Sequence, residues 1–276
     1  MPLTIHGLNA GVIRHDNDFV ALALKINHAS DNDSLLFFPL LPLKDLLICL
    51  EYHLPVNNVP DDVAGMLHSN APVLVEEELK NADVQQRVEH VTLLDDAENS
   101  LTIAFTRNNG ETLNLSIVDT HIPALVSLII RAMNNAGLRA VVESVSSMVD
   151  FLPLYDVDCQ NDAQLEYDTY QHPEWKHRLF SHYLVVIYQY KNDQGEARTS
   201  GSVIKTRAPS ASKDTQGIVK RLLRFSHRLR KLDNTPCKVF VRTLAAGNKV
   251  TLTQAQCLHA VHNLRLHAEQ SAACKQ

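Results

Sequence analysis

Three turn sequences, each followed by a segment with helical spacing of apolar residues, constrain the fold of this 276-residue chain more than any other feature. The turns lie at residues 30–33, 108–110 and 192–195, roughly 80 residues apart. Alternating apolar residues flank each turn, which predicts a β-hairpin. The second turn contains Asn109-Gly110, a pair that tolerates the positive φ of tight hairpin turns.

A helix is predicted after each hairpin. The first begins at Pro42, and the second has Pro123 in its first turn and Gly137 after its end. The third is predicted over residues 214–232 and is followed by a strand over 238–244. A final helix is predicted over about 253–269. The apolar positions of each helix recur every three or four residues, which is typical of a helix with one buried face.

These elements predict an α+β fold of antiparallel β-hairpins, each followed by an amphipathic helix, in about three repeated units with the helices packed on one sheet face. We expect an acidic α+β domain of two hairpin–helix units at residues 1–150 and a basic α+β domain at 160–276. Residues 55–83 and 140–162 have the weakest patterns and are the predicted linkers. The element order is similar to that of the Whirly and PUR-type single-strand nucleic-acid binders, at that level alone.

Charge is divided unevenly along the chain. Residues 1–160 carry 8 Lys and Arg against 22 Asp and Glu, a net of −14. Residues 161–276 carry 18 Lys and Arg against 9 Asp and Glu, a net of +9. This asymmetry indicates either a basic surface for a polyanion or two halves that attract each other.

The basic residues concentrate between Lys205 and Lys249, a stretch that contains 12 Lys and Arg and only two acids. On the predicted helix, an apolar stripe lies opposite a cationic ridge, and such a ridge can follow a phosphate backbone. Tyrosines at 183, 188 and 190 on the preceding strand would offer stacking surfaces for unpaired bases. The predicted nucleic-acid-binding residues are Lys205, Arg207, Lys220, Arg221, Arg224, Arg228, Arg230 and Lys231.

Other interpretations of the ridge stay open. A solvated helix face or docking on the acidic half is the plainer explanation, and contact with anionic lipid is a third, which the single apolar stripe disfavours. Docking between chains would make the protein a homo-oligomer, so nucleic acid and a second copy are the two candidate partners. For the tyrosines, packing within a sheet is the preferred interpretation.

The sequence offers no catalytic site. Phosphate-binding glycine loops, His-Glu-x-x-His and Gly-x-Ser-x-Gly are absent, so we predict a non-enzymatic binding or regulatory protein without a cofactor. His259 and His262 are three residues apart, but no second group of ligands accompanies them, so no metal is predicted. Asp119-Thr120-His121 lies where a strand meets a helix, and a helix cap with a nearby histidine is the preferred interpretation because a catalytic triad is assembled in space and not in sequence.

The compartment is predicted from three absences. The first residues lack the basic and apolar regions of a signal peptide, and no run of about 18 apolar residues occurs. The five cysteines are widely spaced, which fits neither a disulfide framework nor a zinc site. We therefore expect a cytoplasmic protein with reduced thiols and no membrane partner.

Overall fold

A computed structural model describes residues 2–28, 33–54, 70–97, 99–159, 165–207, 213–244 and 251–273. The chain divides into two compact units, Met1–Val149 and Asp150–Gln276. Each unit is a mixed α+β structure with its own sheet. Together the described residues form 11 strands in two sheets, with seven α-helices.

The first unit contains a six-stranded sheet in the order β3-β2-β1-β6-β5-β4. Two antiparallel three-stranded meanders, β1–β3 and β4–β6, are joined by a short parallel pairing of β1 with β6. The Asn109-Gly110 turn connects β5 to β6, with Gly110 at φ 81°. The strands are β1 Leu3–His15, β2 Asp18–His28, β3 Asp33–Phe38, β4 Val88–Ala97, β5 Ser100–Arg107 and β6 Thr112–Val118.

The two ends of this sheet come together. An isolated parallel bridge joins Phe37 of β3 to Arg87, the residue before β4. The rings of Phe38 and Phe105 meet edge to face at 5.3 Å between centroids, so β3 and β5 share one core. The sheet is therefore strongly curled around its apolar side chains.

Four helices belong to the first unit: α1 Leu40–Tyr52, α2 Glu76–Lys80, α3 Ile122–Asn135 and α4 Arg139–Met148. Helix α3 buries Leu125, Ile129 and Met133, which are spaced by four, as its apolar stripe predicts. It ends before Gly137, whose φ of 74° is accessible to glycine without strain.

The second unit contains a five-stranded antiparallel sheet in the order β11-β9-β10-β7-β8. Its strands are β7 Phe151–Cys159, β8 Leu165–Thr169, β9 His182–Lys191, β10 Ala197–Thr206 and β11 Lys238–Leu244. Its helices are α5 Glu174–Leu179, α6 Lys213–Phe225 and α7 Gln254–Ala273. A 3-10 helix, Leu229–Leu232, follows α6.

The helices of the second unit cover both faces of its sheet. Leu184, Val186 and Tyr188 of β9 pack with the apolar side chains of α6. The alternate residue Tyr183 faces the other side, where its hydroxyl accepts a hydrogen bond from the amide of Leu252, just before α7. As a result, β9 is buried continuously from Tyr183 to Tyr188.

The structure corrects three expectations. The expectation that the helices pack on one sheet face is wrong, because α6 and α7 lie on opposite faces of β9. A helix over 214–232 is wrong, because α6 ends at Phe225. The Ser226 hydroxyl then accepts a hydrogen bond from the amide of Leu229, which starts the separate 3-10 turn. The linker at 140–162 is wrong, because it contains most of α4 and all of β7.

The three repeated hairpin–helix units are not confirmed. In the first unit each of the two principal helical regions follows three strands, because β1 and β4 add to the predicted hairpins. The first turn, at 30–33, falls largely outside the described residues, and so does most of the predicted linker at 55–83. Among the helices that the structure describes, none is long and apolar enough to span a membrane.

Gly7 of β1 permits a close backbone contact that fixes the segment before α2. A Cβ atom at Gly7 would lie 1.8 Å from the carbonyl oxygen of Asn70. Beside it, the Asn9 side chain donates a hydrogen bond to the carbonyl oxygen of Pro72 at 3.0 Å. At Gly11 the same addition would meet only side-chain carbons, the nearest being a methyl of Leu74 at 2.9 Å.

We therefore expect Gly7→Ala to lower the free energy of unfolding by about 1–3 kcal/mol through overpacking. Gly11→Ala is the matched control in the same strand, and it should cost less because leucine methyls can move more readily than a backbone carbonyl. Urea unfolding followed by circular dichroism measures both changes. Equal losses for the two variants would contradict the role assigned to the Asn70 backbone.

Candidate polyanion-binding surface

The apolar side chains of α6 are buried against the sheet, and this determines which way its basic side chains point. Ile218, Val219 and Leu222 of α6 form one buried cluster with Leu229 and Leu232 of the 3-10 helix. The sheet contributes Phe151, Leu184, Val186, Tyr188 and Ile204 to the same cluster. Because this stripe faces the sheet, the basic residues between its members face outward or sideways.

Three of the eight predicted residues form an exposed group. Lys220 and Arg224 are one helical turn apart on α6, and both are exposed. Arg230, also exposed, lies beside them, with its guanidinium 3.4 Å from the carbonyl oxygen of Arg224. Within the residues that the structure describes, these three cations have no ion pair. We call Lys220, Arg224 and Arg230 the free ridge.

Three others are held by carboxylates. Arg228 donates to Asp168 from Nε at 3.0 Å and from Nη2 at 2.9 Å, and to Asp158 from Nη1 at 3.0 Å. Lys231 donates to the same Asp158 oxygen at 2.8 Å. Arg221 is paired with Asp150. The basic segment therefore contacts acids of its own unit.

Electrostatics in this network favour the charged forms. Burial raises the pKa of Asp158, but hydrogen bonds from Lys231, Ser200 and Arg228 outweigh burial, and its pKa lies below the ordinary value. The hydrogen bond from Arg228 lowers the pKa of Asp168. The same bond raises the pKa of Arg228, so the pair stays ionised at neutral pH.

Lys205 and Arg207 lie apart from the free ridge. Lys205 is 5% exposed, and its ammonium donates to the carbonyl oxygen of His177 at 2.5 Å. It also lies 4.9 Å from the ring centroid of Tyr183, on the face opposite α6. Arg207 lies over the ring of Phe180 at 5.2 Å. This amine is part of the core rather than of a solvent-facing patch, and its burial lowers the pKa of Lys205.

The tyrosines of β9 do not form a stacking surface. Tyr183 is 3% exposed, and Tyr188 is fully buried with its hydroxyl donating to the carbonyl oxygen of Val219 at 2.7 Å. Tyr190 is partly buried against the same cluster. The interpretation as sheet packing is therefore correct for these residues, and the stacking interpretation is wrong because α6 and α7 cover both faces of the strand.

The acids that bind Arg228 and Lys231 were missed by sequence reasoning. Asp158 of β7 pairs in register with Glu166 of β8, and Asp156 pairs with Asp168. These residues therefore lie on one face of the two strands. The signal was present as acids at alternate positions, 156 and 158 and then 166 and 168, a spacing typical of strand residues that share one face.

A second group of polar side chains gathers in the first unit around the end of β6. His53 Nδ1 lies 3.7 Å from Asp119 Oδ1. Three buried atoms here have no hydrogen-bond partner among the described residues: His53 Nε2, Asp119 Oδ1 and His121 Nδ1. Burial, followed by the charge of His6, lowers the pKa of His121. The structure thus places a histidine from the end of α1 beside Asp119.

This group does not amount to a metal site. Among the described residues, no set of three or more His, Cys, Asp or Glu side chains converges in a way that could hold a metal ion. On α7, His259 is exposed and its Nδ1 lies 3.3 Å from the Asn263 amide. Of the five cysteines, Cys274 lies outside the described residues. The thiols of Cys49, Cys159 and Cys257 are buried.

The fold and this surface define a two-unit α+β protein whose second unit carries a partly neutralised cationic segment. Its sequence matches the family model described as YjeJ-like over residues 1–271, so the chain belongs to the YjeJ-like family. It is similar to the uncharacterized protein YjeJ of Escherichia coli (strain K12), with 44% identity over 285 residues that cover 99% of each chain. No solved structure matches it.

The Asp158 network predicts a pH-dependent stability. Because Asp158 has a lowered pKa when folded, its contribution is complete above the ordinary carboxyl pKa of about 4 and is lost as pH falls below it. Asp158→Asn should therefore cost about 1–3 kcal/mol at pH 7 and much less near pH 3. Urea unfolding at both pH values measures the difference. Asp193→Asn, in the exposed β9–β10 turn, is the control and should change little at either pH.

The histidines of the first unit predict a second pH effect. Burial lowers the pKa of both His28 and His121, so the unfolded chain binds more protons than the folded one just below the ordinary histidine pKa of about 6.5. Stability should therefore fall as pH drops from 7.5 to 5.5. The double variant His28→Gln/His121→Gln should show a smaller fall in melting temperature. An unchanged fall would assign the pH effect to other groups.

Proposed function

We propose that this protein is a non-enzymatic binding protein that contacts nucleic-acid phosphates through the free ridge, Lys220, Arg224 and Arg230. The observation that supports this is the exposure of three neighbouring cations that form no ion pair among the described residues, whereas Arg221, Arg228 and Lys231 are paired with acids. Because base stacking has no surface on β9, the contacts would be to phosphate and independent of sequence.

The proposed binding surface contains three of the eight residues that the sequence predicted. Lys205 is buried against the ring of Tyr183, and Arg207 is half-buried over the ring of Phe180. Arg221, Arg228 and Lys231 are occupied by carboxylates. A cytoplasmic location, the division into an acidic domain at 1–150 and a basic domain at 160–276, and the absence of a cofactor all stay predictions that accompany this proposal.

A second candidate function is self-assembly through opposite charges. Arg228 already accommodates carboxylates from two strands, so acids of another chain are chemically suitable partners for the neighbouring free ridge. The surplus of acids in residues 1–160 makes a second copy the simplest source. This candidate predicts oligomers that dissociate with salt and have no affinity for nucleic acid.

The test is fluorescence anisotropy of a labelled 12-nucleotide single strand titrated with the full chain. Three phosphate contacts predict a slope of about −2 for log affinity against log salt, at about 0.7 per contact. Lys220→Glu/Arg224→Glu/Arg230→Glu should abolish binding. The control Arg178→Glu/Lys191→Glu/Arg242→Glu reverses three exposed cations outside α6 and the 3-10 helix, and it should retain most of the affinity.

Two outcomes would contradict the proposal. Equal losses in the two triple variants would mean that only net charge matters. No binding by the wild type, together with salt-sensitive oligomers in sedimentation velocity, would favour self-assembly instead.

A further inference from the structure

The carboxylates around Arg228 present the oxygen geometry that a phosphate would offer. Asp168 binds its Nε and Nη2 with both carboxylate oxygens, while Asp158 binds Nη1. Glu166 lies 3.6 Å from the same Nη1. A guanidinium binds carboxylate and phosphate through the same two-point arrangement, so these ligands compete for one site.

Lys231 is occupied in the same way. Its ammonium is 2.8 Å from Asp158 Oδ2, the atom that also receives Arg228. The Ser200 hydroxyl donates to the other Asp158 oxygen and fixes the carboxylate between β7 and the 3-10 helix. One buried acid thus holds two cations that lie on either side of Arg230 in sequence.

We propose that Asp158 and Asp168 act as an internal competitor for phosphate that keeps Arg228 and Lys231 out of the polyanion-binding surface. This inference rests on the proposed function, because it concerns the strength and extent of the same surface. With the acids in place, the surface consists of the three cations of the free ridge. With the acids neutralised, Arg228 and Lys231 are added to the free ridge, and the surface then consists of five cations.

Exposure determines which contacts a ligand can displace. The side chains of Lys231 and Asp168 are 49% and 44% exposed, whereas those of Arg228 and Asp158 are 19% and 17% exposed. A polyanion can therefore reach the network from the side of Lys231 and Asp168. Removal of Asp168 uncovers the Nε and Nη2 of Arg228 that it binds, whereas Asp158 lies deeper. The acids also repel phosphate as it approaches. Their neutralisation should therefore strengthen binding in two ways, by releasing the cations and by removing this repulsion.

The experiment compares the wild type with Asp158→Asn/Asp168→Asn, using the same 12-nucleotide strand and full-length protein at several salt concentrations. Two additional phosphate contacts should steepen the salt slope by about 1.4, at about 0.7 per contact. Glu174→Gln/Asp193→Asn is the matched control. It removes the same charge at two exposed acids that form no ion pair among the described residues, so it frees no cation and should leave the slope unchanged.

A second pair of variants guards against loss of folding when Asp158 is changed. Glu166→Gln/Asp168→Asn leaves Asp158 in place, removes the two more exposed acids, and should steepen the slope by about 0.7 through Arg228 alone. In addition, Lys231→Gln should have little effect in the wild type but should weaken binding in the Asp158→Asn/Asp168→Asn background. A purely structural role for the acids would not produce this dependence on background.

The outcomes separate this inference from the proposed function. Wild-type binding with a slope near −2, together with acid variants that are indistinguishable from the Glu174→Gln/Asp193→Asn control, would overturn the competitor role of Asp158 and Asp168. It would leave the proposed role of the free ridge intact. A wild-type slope that already corresponds to five contacts would also overturn it, because phosphate would then displace the acids unaided. Absence of binding in every protein would reject the proposed function itself.

Discussion

The burial of one apolar stripe against β9 and β10 determines most of what the second unit can do. Ile218 and Leu222 of α6, with Leu229 and Leu232 of the 3-10 helix, share a core with Leu184 and Tyr188. Burial of each such side chain stabilises the fold by about 1.5–3 kcal/mol, far more than an exposed ion pair contributes. The apolar stripe therefore sets the orientation of the segment, and the positions of Lys220, Arg224 and Arg230 follow from it.

The ion pairs refine this arrangement rather than create it. Arg228 is mostly buried, so an arginine without acids at this place would carry an uncompensated charge in a medium of low polarity. Asp158 and Asp168 remove that cost, and they join the 3-10 helix to strands β7 and β8. The same contacts explain why a segment with 12 basic residues exposes fewer free charges than its composition indicates.

Local signals predicted the elements well, whereas long-range contacts decided what they form. The turns at Gly110 and Gly195, both with positive φ, and the stripe of α3 were readable because neighbouring residues specify them. Strand β7 was mistaken for a linker because Pro153 interrupts its pattern, and the proline lies at a register shift opposite Ile204. The pairing of Arg228 with Asp158 and Asp168 spans 60 or more residues, and no local pattern specifies such a contact.

The closed faces of the second sheet have a further consequence for recognition. A sheet that binds nucleic acid by stacking must leave aromatic rings on an open face, and here α6 and α7 occupy both faces of β9. Contact is then limited to phosphates, which supply affinity without sequence information. Under the proposed function, the three cations of the free ridge would give a weak affinity that depends steeply on each added charge. Asp158 and Asp168 hold two further cations, so under the same proposal they limit how many phosphates this surface can contact.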